Sequence, residues 1–107
     1  MVKIRKTPEF DEWLSALQVK ERAQVEARLY RIESAAHFGD CKPLAGTDNS
    51  ILELRWKNGW RVYFYREERF AIRLLLGGKK NDQKEDIKKA KVLFGRYANY
   101  KEQKKTS

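Results

Sequence analysis

The chain has 107 residues, with 24 Lys and Arg against 15 Asp and Glu for a formal net charge of +9. That length makes one domain over 1–107 with a core large enough to fold unaided, and no apolar run approaches the roughly 20 residues of a membrane span. The single cysteine, Cys41, excludes an intramolecular disulfide, and Met1 to Pro8 holds no apolar leader, so a cytoplasmic protein without membrane contact is expected.

Val2 and Ile4 alternate with Lys3 and Arg5, which reads as a short first strand over 2–6. Thr7-Pro8-Glu9 then starts a helix: a capping hydroxyl, a proline at the first helical position and an acid in the first turn. Phe10, Trp13, Leu14 and Leu17 give one apolar stripe, and Val25, Leu29, Ile32 and Ala36 give a second. A break near Gln18-Val19 makes these two helices of a hairpin. Lys20, Arg22, Glu26, Arg28 and Glu33 read as its solvated face. Gly39-Asp40 ends the hairpin, and Pro43, Gly46 and Asp48-Asn49 read as a loop.

Three strands follow. Leu52, Leu54 and Trp56 alternate with Glu53 and Arg55; Trp60, Val62 and Phe64 alternate with Arg61, Tyr63 and Tyr65. The third, from Phe70 to Leu76, is apolar apart from Arg73, as a central strand covered on both faces would be. A two-residue Asn58-Gly59 turn would put cations and core residues on the same face. A three-residue loop, Lys57-Asn58-Gly59 with Gly59 left-handed, instead sets Leu54 opposite Val62, Glu53 opposite Tyr63 and Arg55 opposite Arg61. The apolar pattern selects the second register. Gly77-Gly78 closes the last strand, Asp82 and Glu85 have capping-box spacing, and Ile87, Ala90, Phe94 and Tyr97 stripe a C-terminal helix. The tail from Lys101 to Ser107 is expected to fray. The whole is an α+β domain: an N-terminal strand, a helical hairpin, an antiparallel three-strand meander and a C-terminal helix, with the helices packed on one sheet face.

The other face then carries Arg55 and Arg61, with Lys79 and Lys80 beside them and Tyr63 and Tyr65 between. Cations for a phosphate backbone and flat rings for unstacked bases are what single-stranded RNA requires. The sole histidine, His37, lies far from these strands in sequence and reads as incidental. Cys41 has no partner for nucleophilic chemistry, Glu53 reads equally as an ion-pair partner, and no cluster has zinc-ligand composition. Gly77-Gly78-Lys79-Lys80 lacks the spacing of a nucleotide-binding loop, and the three tryptophans follow the apolar faces.

In this order several words resemble the RelE/ParE toxin superfamily, most closely its HigB-like branch of addiction-module killer proteins. They are Ile4-Arg5-Lys6-Thr7-Pro8-Glu9-Phe10 with Trp13-Leu14; Gly39 to Leu44; Glu53-Leu54-Arg55; Trp60 to Phe64; and Leu75 to Lys80, followed by Gln83, Asp86-Ile87 and Ala90. The resemblance implies the RelE-like fold and the toxin of a type II toxin–antitoxin pair, cutting mRNA on the ribosome without metal or cofactor. The superfamily also contains ParE-like inhibitors of DNA gyrase, and a nucleic-acid-binding domain without catalysis is the third reading. The implied partner is a helix-turn-helix antitoxin, through which alone the toxin would meet operator DNA. In the implied chemistry Arg61 and then Arg55 stabilise phosphoryl charge, while Lys79 and Lys80 hold the backbone or move protons. Tyr63 is a candidate for stacking or proton transfer, although a free phenol titrates near about 10. Lys42, Tyr65 and Arg73 are expected to hold RNA. Some relatives place a catalytic tyrosine near the C-terminus, where Tyr97 and Tyr100 stand; Tyr97 continues an apolar stripe and reads as packing.

Overall fold

A computed structural model describes the backbone of residues 1–106 and the side chains of residues 1–98. The expected frayed tail and Tyr100 lie outside the residues whose side chains are described. The elements run β1 (Lys3–Lys6), α1 (Pro8–Ala16), α2 (Val19–Ala35), β2 (Cys41–Pro43), β3 (Leu52–Arg55), β4 (Trp60–Glu68), β5 (Ala71–Lys79), a 3₁₀ turn (Lys80–Asp82) and α3 (Gln83–Thr106). The five strands form one sheet in the order β1-β5-β4-β3-β2. β1 runs parallel to β5, and the other neighbours are antiparallel. No described helix is long and apolar enough to cross a membrane.

Local chemistry explains the boundaries. Thr7 caps α1 by accepting from the Phe10 amide at 3.0 Å, and its hydroxyl donates to the Leu75 carbonyl at 2.7 Å, so one buried side chain starts a helix and ties it to β5. The β3–β4 connection is the three-residue loop: the Trp56 amide donates to the Trp60 carbonyl, the Gly59 amide returns to Trp56, and Gly59 has φ +99°. The register follows, with Leu54 opposite Val62 and Arg55 opposite Arg61.

Four features depart from the sequence expectations. First, the segment read as a loop contains β2, a three-residue edge strand on which Pro43 is tolerated because edges need not donate. Second, β5 does not close at its glycines but continues through them to Lys79, and it begins at Ala71, leaving Phe70 63% exposed. A Cβ on Gly77 would overlap the Trp13 ring, and one on Gly78 would overlap Asp86 Oδ2. The glycines serve close approach on both faces rather than a turn. Third, Asp82 ends the 3₁₀ turn ahead of α3.

Fourth, the helices do not share one face. α1 and α2 pack Phe10, Leu14, Val25, Leu29 and Ile32 onto Leu54, Val62, Phe64, Ile72 and Leu74. α3 covers the opposite face, setting Ala90 and Leu93 against Tyr63, Tyr65, Leu75, Ile51 and Leu44. The cause is in β4 and β5, which carry bulky apolar bodies on both faces, so both must be shielded from water.

Candidate nucleic-acid interface

Strand pairing gathers the cations. Arg55 lies opposite Arg61, Arg61 opposite Gly78, and Trp60 opposite Lys79, so the end of β3, the start of β4 and the end of β5 meet at one end of the sheet. Lys42 on β2 stands opposite Glu53, two residues further in than Arg55. The Lys80 amide donates to the Gly59 carbonyl at 2.8 Å, folding the turn before α3 onto the β3–β4 loop. Five of the expected residues, Arg61, Arg55, Lys79, Lys80 and Lys42, therefore share one region.

Like charges held opposite each other repel, and here each arginine has its own carboxylate. Arg55 donates from Nη2 and Nε to Asp40 Oδ1 at 2.9 and 3.2 Å. That bond holds the Asp40 carboxyl below its ordinary value. The Arg61 Nε lies 3.4 Å from Glu53 Oε1, off-line for a hydrogen bond but within ion-pair range. Glu53 is buried and accepts from Gln83 Nε2, in the first turn of α3, at 2.9 Å. Arg61 Nη1 donates to the Trp60 carbonyl at 3.1 Å, which leaves Nη2 without a described partner. The expectation of an outward-facing Arg61 is corrected: its side chain is only 11% exposed. Lys79 extends its ammonium over the Trp60 ring, 5.1 Å from the centroid, and Lys80 and Lys42 are exposed.

The tyrosines do not join this surface as expected. They share the sheet face of Arg55 and Arg61, but α3 covers them. Tyr63 is fully buried, and burial, reinforced by the charges of Glu53 and Asp86, pushes its phenol well above the ordinary value. The buried ring offers no face on which a base could stack. Tyr65 and Arg73 pair across strands at the other end of the sheet. There Glu67 accepts from Arg73, from Arg5 and, at 3.0 Å, from the Tyr65 hydroxyl. Burial and the Glu67 bond push Tyr65 up to about 12. The same network overcomes the cost of burying Glu67 and pulls its carboxyl down to about 2. Arg73 also lies over the Tyr97 ring at 5.3 Å, and Tyr97 packs against the α3-side core.

His37 is exposed beyond the end of α2, and burial pushes the half-buried Cys41 thiol up. Among the described residues no group of three His, Cys, Asp or Glu gathers as for a metal.

Sequence reasoning passed over Arg28. It is not on the solvated face: its guanidinium donates to the carbonyls of Phe38, Asp40 and Arg55 and lies over the Trp56 ring at 4.4 Å. Its position three residues after Val25 and four before Ile32, on the inner stripe of α2, is the signal that identifies it.

The description Phage derived protein Gp49-like (DUF891) matches residues 12–95. An uncharacterized protein of Haemophilus influenzae is 38% identical over 95 residues, covering 86% of this chain and 92% of that one. Among solved structures, the toxin–antitoxin complex RelBE2 from Mycobacterium tuberculosis aligns at TM-score 0.61 and 18% identity, over 73% of this chain and 96% of the matched one. The isolated RelE toxin of E. coli aligns at TM-score 0.61 and 14% identity, over 82% and 97%. At such identities the structural likeness is one of fold. The chain thus belongs to the phage-derived Gp49-like family, and it carries its cationic sheet end on the fold of the RelE toxins.

Proposed function

We propose that this protein is the HigB-like toxin of a type II toxin–antitoxin pair, a metal-independent endoribonuclease that cuts mRNA on the ribosome. The observation that carries the reading is the convergence of Arg61, Arg55, Lys79, Lys80 and Lys42 at one end of a RelE-type sheet. In this chemistry the RNA 2′-oxygen attacks the adjacent phosphorus, its proton passes to a base, and the 5′-oxygen leaves with a proton from an acid. The products are a 2′,3′-cyclic phosphate and a 5′-hydroxyl. The protein's tasks are orientation, charge stabilisation and two proton movements. Arg61, held on two sides and free at Nη2, is placed to meet phosphoryl charge with its planar fork. Lys42, Lys79 and Lys80 are the exposed protonatable groups beside it; with Tyr63 buried, proton transfer falls to them. The natural antagonist is a helix-turn-helix antitoxin that covers this end of the sheet and carries the pair to operator DNA. Two of the structural neighbours are RelBE toxin–antitoxin complexes.

One observation favours a second reading, inhibition of DNA gyrase by binding alone. Tyr63 and Tyr65 are both buried, so the cationic end has fewer rings for base stacking than the sequence promised. Mapping transcript 5′ ends after brief induction separates the two. In-frame, codon-linked cuts carry the ribonuclease reading, and DNA breaks with intact mRNA overturn it. Arg61→Lys keeps a cation beside Glu53 while removing the fork, and is expected to lower cleavage on the order of 10²–10³-fold.

A further inference from the structure

A groove of about 610 Å³ runs between α2 and the β3–β4 loop, and of its lining only Arg55 and its partner Asp40 belong to the cationic row described above. Its charged lining is Arg28, Arg31, Arg55 and Lys57 against a single acid, Asp40. Arg28 and Arg55 are committed to building the wall, Arg28 through three backbone carbonyls and Arg55 through Asp40. Arg31 and Lys57 are different: both are exposed, and among the described residues neither side chain has a hydrogen-bond or ion-pair partner. Two free cations therefore flank a floor whose own polar groups are satisfied.

That floor is flat. The Arg28 guanidinium lies over the Trp56 indole, and the residue against it is Gly39, where an added Cβ would stand 3.2 Å from Arg28 Nη2. With φ at +73° this position already favours glycine, and the missing side chain lets the guanidinium sit between Gly39 and Trp56 as part of the wall. The groove is continuous with the cationic row through Arg55, which lines both.

We infer that this groove is a second RNA subsite, which holds the strand beyond the phosphate presented to Arg61. Phosphates of the strand meet Arg31 and Lys57. The inference rests on the reading of the protein as an RNA-acting toxin, but it concerns binding and is separable from cleavage.

The test is binding of a labelled 12-nucleotide single-stranded RNA by the intact protein, read by fluorescence anisotropy over a series of salt concentrations. The variants are Arg31→Ala with Lys57→Ala and, as a charge-matched control on exposed α3 positions, Lys88→Ala with Lys91→Ala. The groove pair is expected to weaken binding roughly tenfold and to flatten the log–log salt slope by about 1.4, the value for two lost single-strand phosphate contacts. The control pair is expected to change both far less. Equal losses from the two pairs, no loss from the groove pair, or no RNA binding by the parent protein would each overturn the subsite. So would a polyglutamate peptide that competes as well as unlabelled RNA, because the groove would then be a surface for acidic protein. RNA bound through the groove by a protein that cuts no transcript keeps the subsite and removes the ribonuclease.

Discussion

Arg61 is constrained by what lies behind it. Glu53 is buried, and its neighbours are Arg61 and Gln83. Deleting the guanidinium would leave that carboxylate uncompensated, a loss of about 3–5 kcal/mol when one partner of a buried pair is removed. Arg61→Ala is therefore expected to lower stability strongly, and Glu53→Gln added to it is expected to recover most of the loss. Urea unfolding of both variants checks this. An Arg61→Ala protein as stable as the parent would show that the pair contributes nothing. The placement of Arg61 opposite Arg55 was legible in the sequence, because alternation and a three-residue loop decide which side chains share a face. Its depth was not. Alternation says nothing of what covers a face, and here the cover is α3, whose first turn supplies Gln83.

The elements were legible wherever local chemistry decides them. Thr7 and Pro8 start α1, the missing apolar stripe near Gln18 separates α1 from α2, and Gly59 sets the β3–β4 register. What local chemistry does not decide went unread: the edge strand β2, only three residues long, and the side of the sheet on which α3 rests. The two glycines of β5 are where that second question is settled. Gly78→Ala would drive its methyl into Asp86 on α3, while Gly77→Ala would drive one into Trp13 on α1. Each is expected to cost about 1–3 kcal/mol as an overpacked position. Asp86→Ala should relieve Gly78→Ala and leave Gly77→Ala untouched, since Asp86 and Trp13 lie on opposite faces. Unfolding free energies for the singles and doubles form the two cycles, with a coupling of about 1 kcal/mol or more expected only in the first. Equal coupling in both would contradict the two-faced packing.

At the scale of the molecule, the sheet has an ionic group at each end, and the two respond differently to acid. At the end away from the cationic site, Glu67 is held near about 2 from an ordinary 4.5, burial being outweighed by the bonds from Arg73, Arg5 and Tyr65. A carboxyl depressed by folding contributes stability that is whole above its unfolded pKa and lost as pH falls through its folded one. The loss therefore runs from about pH 4.5 down to about pH 2, on the order of 3 kcal/mol. Urea melts across that window are expected to show the parent weakening steadily and Glu67→Gln, already less stable at neutral pH, falling less. A parallel descent of the two would mean that other carboxylates carry the acid sensitivity. None of this network was read from the sequence, where Arg73 and Tyr65 were expected to hold RNA. Glu67 stands two residues from Tyr65 on β4 and six from Arg73, but Arg5 is 62 positions away, and pairing at that separation has no local signature.

The strand order also governs when the protein comes into being. β5, the last strand made, lies between β1 and β4. The first strand therefore has no neighbour in the sheet until the last has been synthesised, and Thr7 must wait for Leu75, 68 positions later. Contacts of this span make folding slow, because chain closure precedes the stabilisation it brings. During translation the hairpin of α1 and α2 leaves the ribosome with its apolar stripe still uncovered, and the cationic row is incomplete until β5 arrives beside β4. A nascent chain cut short before Lys79 would have neither a closed sheet nor an assembled interface. For a protein whose proposed target is the ribosome, that order of assembly delays activity until β5 has left the ribosome making it.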